Sequence, residues 1–130
     1  AGSQGEAVTV TGRTIRLSRA GTISTLTNGA TSNATAGNIT VQATEALIID
    51  GSEISSFVSN NAAGNGGRVT IGAPNLTLQN GGQLLTATLG RGNADALAIN
   101  TDTLTLSNRS FLGSIVNTPG ATGNAGTVNI

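Results

Sequence analysis

Short runs of alternating apolar and polar residues return along this chain at a nearly constant distance. They read AVTV at 7–10, NITV at 38–41, RVTI at 68–71, ALAI at 96–99 and TVNI at 127–130. Their first apolar positions are Val8, Ile39, Val69, Leu97 and Val128, giving periods of 31, 30, 28 and 31 residues. A period of roughly 20–50 residues marks a solenoid, in which each repeat covers the apolar face of the next.

Counted from that first position, apolar residues fall at offsets 0, +2, +7, +9 and +15. They are Val8, Val10, Ile15, Leu17 and Ile23, then Ile39, Val41, Ala46, Ile48 and Ile54. The third copy has Val69, Ile71, Leu76, Leu78 and Leu84; the fourth has Leu97, Ile99, Leu104, Leu106 and Leu112. One frame serves all four copies without a gap. A spacing of two with a polar residue between is strand alternation. Helix is disfavoured, because the apolar positions do not recur at three and four and Thr, Val, Ile and Gly dominate. The expected fold is therefore all-β: a right-handed parallel β-helix with three short strands per coil and about four coils of 28–31 residues. As one domain over 1–130, its coils span 8–38, 39–68, 69–96 and 97–127, with a partial fifth at 128–130.

Stacking turns equal offsets into columns running along the axis. Offset +17 carries a hydroxyl in every copy: Thr25, Ser56, Thr86 and Ser114. Offset +18 is apolar throughout, as Leu26, Phe57, Ala87 and Ile115, which predicts a bend or bulge in the third strand. Offset +11 is Arg19, Asp50, Asn80 and Asn108, so Arg19 and Asp50 are expected to face each other on adjacent coils. All variation in length lies in the return from +15 to the next copy, which takes 16, 15, 13 and 16 residues. This return is polar and Gly-rich and is expected to form one surface loop per coil. Gly64-Asn65, Gly92-Asn93 and Gly123-Asn124 sit at equal distances before the next strand, where stacked Asn amides can bond along the axis.

Composition sharpens this picture mainly by exclusion. The chain has six Arg, six acidic residues and no Lys, for a formal net charge of zero, so it has no basic footprint for nucleic acid. His, Cys, Met, Trp and Tyr are absent, which removes disulfides, thiolate chemistry and imidazole catalysis. No apolar run is long enough for a membrane-spanning helix. The opening residues AGSQGEA read as the middle of a repeat, and neither end carries a polar cap. The expectation is a chain excised from a longer array, or one that joins its copies end to end.

Gly123 to Ile130, Ala36 to Val41 with Gly51 to Ser56, and Arg68 to Leu85 share a run. It is GNAG or a variant, a TVNI-type strand, LTL, and a Gly/Ser-rich turn with I-S or L-T. This resembles the repeats of filamentous-haemagglutinin-like two-partner-secretion exoproteins of bacteria, many of them cyanobacterial. The resemblance extends over nearly the whole chain. It implies export across an outer membrane, a long right-handed β-helix, and a role in adhesion or extracellular matrix. The amino-terminal secretion domain of that family is not in this sequence, and the family brings no catalytic residues.

Candidate chemistry is sparse. Without His or Cys, a metal would need carboxylates and carbonyls, hence Ca²⁺, and Asp50, Glu53 and Glu45 are the nearest acidic residues. They read better as solvated turn carboxylates. A Ser nucleophile would lack His or Lys to activate it. Asp102 and Arg13 share offset +5 but lie three coils apart. Gly64-Asn65-Gly66-Gly67 is a turn rather than a phosphate loop, with no Lys after it. The Thr9, Thr40, Thr70 row gives way to Ala98 and Asn129, too short a Thr ladder for an ice-binding face. Leu47, Ile49, Leu85 and Phe111 fall at outward offsets, either as scattered surface residues or as contacts for lateral packing. No catalytic, cofactor-binding or metal-ligating residue is assigned.

The leading expectation is a non-enzymatic, secreted structural protein: a β-helical filament or adhesin-like segment that self-associates end to end or laterally. A carbohydrate-binding or adhesive module contacting extracellular glycans or matrix is the alternative, although the only aromatics are Phe57 and Phe111. A polysaccharide-active β-helix enzyme is the third reading.

Overall fold

The computed structural model describes residues 7–27, 37–58, 64–116, 126 and 128–130. In chain order the strands are β1 (Val8–Leu17), β2 (Thr22–Thr27), β3 (Ile39–Asp50), β4 (Glu53–Val58), β5 (Val69–Gly72) and β6 (Asn75–Gln79). They continue with β7 (Gln83–Thr88), β8 (Leu97–Asn100), β9 (Thr103–Leu106), β10 (Phe111–Val116) and β11 (Val128–Asn129). No described residue is helical. Every pairing is parallel and joins a strand to its counterpart one repeat away. The molecule is a β-solenoid of four stacked levels and the start of a fifth, with three full turns from the first level to the fourth.

Three faces wrap the core. The first stacks the front half of β1, the front half of β3, then β5, β8 and β11; the second stacks the back halves of β1 and β3, then β6 and β9. Because β1 and β3 run unbroken around the first corner, these two faces form one bent sheet. The third face is a separate sheet in the order β10-β7-β4-β2. Neighbouring levels lie about 4.8 Å apart, so each inward side chain rests on its equivalent above and below.

The register produces five apolar columns. Val8, Ile39, Val69, Leu97 and Val128 form one; Val10, Val41, Ile71 and Ile99 form the next. On the second face Ile15, Leu47, Leu76 and Leu104 stack beside Leu17, Ile49, Leu78 and Leu106. Ile23, Ile54, Leu84 and Leu112 complete the core from the third face. In the two middle levels these side chains have no exposure at all. In the first level they are half-buried against the same core.

The second level departs from the single frame the sequence suggested. Ala46 and Ile48 were expected inward and Leu47 and Ile49 outward; the structure reverses them. Leu47 and Ile49 are fully buried, and Ala46 and Ile48 are only partly so. The cause is a bulge at the first corner. Pairing of Gly12 with Ala43 is followed by Thr14 with Ala46, so Thr44 and Glu45 stand opposite the single Arg13. The second corner is one residue shorter, with Asp50, Gly51 and Ser52 between Ile49 and β4, where the next level uses Gln79 to Gly82. The shorter second corner cancels the insertion at the first, and the distance from Ile39 to Ile54 is unchanged.

The short and long corners also differ in backbone. The long corners of the first, third and fourth levels each place two successive residues in the left-handed region. These are Arg19 and Ala20 (φ 57 and 60°), Asn80 and Gly81 (53 and 79°), and Asn108 and Arg109 (52 and 64°). The short corner needs one such residue, Gly51 at φ 57°. Glycine serves here because it has no Cβ to clash in that region. Gly82 has another reason to be small: a Cβ there would overlap the Ile49 carbonyl oxygen one level away.

Two further expectations are corrected. The third face shows no bulge, since β2, β4, β7 and β10 pair residue for residue from end to end. Offset +17 faces the returning segment: the Gly67 N–H donates to Ser56 Oγ at 2.9 Å and the Gly126 N–H to Ser114 Oγ at 2.7 Å. Offset +18 is then simply the opposite side of a regular strand. Leu85, expected on the surface, is buried between Ser55 and Gly113 of the adjacent levels. Phe111 is exposed as expected, and its ring lies against Gly113. The expected surface loops at 28–36 and 117–125, and much of that at 59–67, lie outside the described residues. The described return of the third level is pinned by Thr88, whose hydroxyl donates to the Gly92 carbonyl at 2.6 Å and accepts from the Gly90 N–H.

Candidate functional site

Polar side chains outside the core are organised into columns, as the apolar ones are. At the end of the second face a ladder of four side chains runs along the axis. Arg16 donates to Asp50 Oδ2 at 2.7 Å, the Asn80 amide donates to Asp50 Oδ1 at 2.8 Å, and the Asn108 amide donates to Asn80 Oδ1 at 3.1 Å. Asp50 thus faces Asn80 and Asn108 as its offset implied, but its cation is Arg16 rather than Arg19. The bulge is responsible, because it moves Asp50 one position relative to the first level. Hydrogen bonds from Asn80 and then Gln79, with Arg16 adding its charge, hold the Asp50 carboxyl below its ordinary pKa of 3.8 against a partial desolvation. Each rung fixes the register of two levels, so the ladder acts as a key for correct stacking.

Two further amides, at different positions ahead of the first-face strands, also bond from level to level. Asn38 Oδ1 accepts from the Arg68 N–H and Asn65 Oδ1 from the Asn93 N–H, both at 2.9 Å. The Gly-Asn pairs therefore do bond along the axis between the second and third levels. Asn124 lies outside the described residues. The hydroxyl column continues the scheme, with Thr86 Oγ1 donating to Ser114 Oγ at 2.9 Å.

The residues weighed as catalytic or metal-binding are not brought together. Asp50 is held in its ladder, and Glu45 pairs with Arg13 at 3.5 Å, both highly exposed. Such an exposed pair contributes about 0–1 kcal/mol. Among the described residues no three acidic side chains converge as a metal site would require. Asp102 sits at the first corner of the fourth level, and Arg13 belongs to the first. The Thr9, Thr40, Thr70, Ala98 and Asn129 row is in register, as its spacing implied.

At the last complete level the same apolar columns are less covered, as they are at the first. Leu76, Leu78 and Leu84 have no exposure, whereas Leu104 and Leu112 in the same columns are half-exposed and Leu106 is 44% exposed. Among the described residues β9 and β10 pair on one side only, with β6 and β7. Their free edges present backbone donors and acceptors at the spacing of the next rung, beside the exposed rim of the apolar core. β11 has already begun that rung on β8. Comparison with protein-family models, with curated proteins and with solved structures finds no match to the chain.

Proposed function

We propose that this chain is a non-enzymatic structural segment that works by stacking coil on coil within an extracellular fibre or adhesin-like array. The observation that carries the reading is the repetition of whole columns across levels. Leucine meets leucine, hydroxyl meets hydroxyl and amide meets amide, so any level is a template for the next. Solenoids of this kind behave as one-dimensional stacks whose stability is a sum over neighbouring levels. The half-exposed leucines and one-sided edges of β9 and β10 are suited to another rung of the same type, from a continuing chain or from a second copy. The extracellular setting is supported by the resemblance of Gly123 to Ile130, Ala36 to Val41 and Arg68 to Leu85 to two-partner-secretion exoproteins. The dispersal of the carboxylates, and a chain without His or Cys, favour a scaffold over a polysaccharide-active enzyme.

Sedimentation velocity over a range of concentrations tests the proposal, with Leu106→Lys as the edge variant. The wild type is expected to associate as concentration rises, and the variant to stay monomeric with an unchanged β-sheet spectrum. A wild type that remains monomeric throughout, or turnover of an acidic polysaccharide, would overturn it.

A further inference from the structure

Asn-Gly and Asp-Gly pairs recur along the chain, as Asn28-Gly29, Asp50-Gly51, Asn65-Gly66 and Asn80-Gly81. Such a pair carries its own reagent. The glycine nitrogen can attack the side-chain carbonyl carbon of the residue before it, and with no Cβ on the glycine its approach is unhindered. For asparagine, a bond forms between the glycine nitrogen and Cγ, the Cγ–Nδ2 bond breaks, and ammonia leaves with the displaced amide proton. Water then opens the cyclic imide at one of its two carbonyls, giving aspartate or isoaspartate.

Asn28-Gly29 lies outside the described residues. In the other three pairs the glycine N–H donates to a carbonyl of the level above: Gly51 to Gln79 at 3.0 Å, Gly66 to Asn93 at 2.9 Å and Gly81 to Asn108 at 2.8 Å. The asparagine side chains are held as well. Asn65 Oδ1 accepts from the Asn93 N–H, and the Asn80 amide spans the rungs to Asp50 and Asn108. Ring closure at Asn80 therefore requires its amide to leave both rungs and the Gly81 N–H to be released. Two of those three bonds come from Asn108, at the second corner of the fourth level. In the covering level the equivalent pairs are Asn93-Ala94 and Asn108-Arg109, where a side chain on the attacking residue hinders closure.

The two Asn-Gly pairs differ in what covers them. Asn65 is held from the third level, inside the stack, and Gly66 is buried. Asn80 is exposed and is held from the fourth level, where β9 and β10 pair on one side only and Leu104 and Leu112 are half-exposed. A level with fewer buried apolar contacts opens first.

We propose that Asn80 is a self-modification site gated by the fourth level, whose lifting lets Gly81 convert Asn80 to aspartate and isoaspartate. Aspartate at this position sets a carboxylate against Asp50 where an amide donor stood, and like charges so close repel. Isoaspartate adds a carbon to the main chain at the corner and shifts the register. Either product hinders the return of the fourth level, so a long opening leaves a lasting mark. The inference rests on bonds within one chain and does not depend on association between copies.

Peptide mapping by mass spectrometry, with electron-transfer fragmentation to separate isoaspartate from aspartate, tests it. The full chain is followed in warm, mildly alkaline buffer, alongside the same chain in concentrated urea. Asn80 is expected to convert at least about tenfold more slowly in the folded chain, yet ahead of Asn65. Leu112→Ala loosens the fourth level and is expected to speed Asn80 about tenfold over the folded wild type, leaving Asn65 near its wild-type rate. Asn108→Gly keeps the left-handed corner without the amide over Asn80 and is expected to speed it about threefold to tenfold. If circular dichroism shows Leu112→Ala to be unfolded, Asn108→Gly decides. Asn80→Asp is expected to exchange its β9 amides severalfold faster than wild type. Equal rates at Asn80 in folded and unfolded chain, Asn65 converting first, equal acceleration of both sites in a folded Leu112→Ala, or no acceleration by Asn108→Gly would overturn the proposal. Unchanged exchange in Asn80→Asp would overturn the lasting mark.

Discussion

Replacing Leu47 and Ile48 separately by Ala tests the register on which the whole arrangement rests. Leu47 is fully buried, with Ile15 below it and Leu76 above. Leu47→Ala removes three carbons from the core, a transfer loss of about 2.4 kcal/mol at about 0.8 per methylene. The parallel ladders hold the neighbouring levels about 4.8 Å apart, so the site collapses poorly and a cavity contribution adds to the loss. The expected cost is about 3–4 kcal/mol. Ile48 stands beside it with its side chain on the outer side of the sheet, between Arg16 and Thr77, and is partly exposed. Its truncation is expected to cost about 1 kcal/mol or less, as for a position outside the core. Urea denaturation followed by far-ultraviolet circular dichroism measures both, since the chain has no Trp or Tyr for fluorescence. The slope should be compared as well as the midpoint, because solenoids can lose cooperativity. If Ile48→Ala were as costly as Leu47→Ala, the bulge would be wrong and the constant frame would be restored.

Three further outcomes follow from the corners and ladders. The depressed pKa of Asp50 means that its stabilising contribution is complete above 3.8 and is lost as pH falls through the lower, folded-state value. The difference in melting temperature between wild type and Asp50→Asn should therefore be present at neutral pH and shrink in that acid range; a pH-independent difference would contradict the ladder. Ala20→Gly and Arg109→Gly relieve left-handed backbone at positions equivalent to Gly81, and each should stabilise by about 0.5–1 kcal/mol in the same urea assay, whereas destabilisation would show the corner conformation to be wrong. Ser56→Ala leaves the buried Gly67 N–H without its acceptor and should cost about 1–3 kcal/mol, with faster hydrogen exchange at Gly67 as the local readout.

The period, the parallel pairing and most columns were legible in the sequence, because stacking requires each level to present the same chemistry as its neighbour. The second level escaped for a specific reason. Residues 46–49 read Ala-Leu-Ile-Ile, so either alternation places apolar residues inward. The added corner residue is cancelled by a shorter second corner, so the repeat length gave no sign of it. The heavier pair, Leu47 and Ile49, was the one available hint. The misassigned partner of Asp50 follows from the same slip. Leu85 escaped for another reason: it stands on the outer side of its strand, between Ser55 and Gly113, and is buried there all the same.

Whether this chain works by continuing its own stack is decided by electron cryomicroscopy of the concentrated protein. Unbranched filaments one solenoid wide are expected, with strands perpendicular to the axis and an axial rise of about 4.8 Å per level. Discrete particles at every concentration, or filaments whose strands run along the axis, would contradict it.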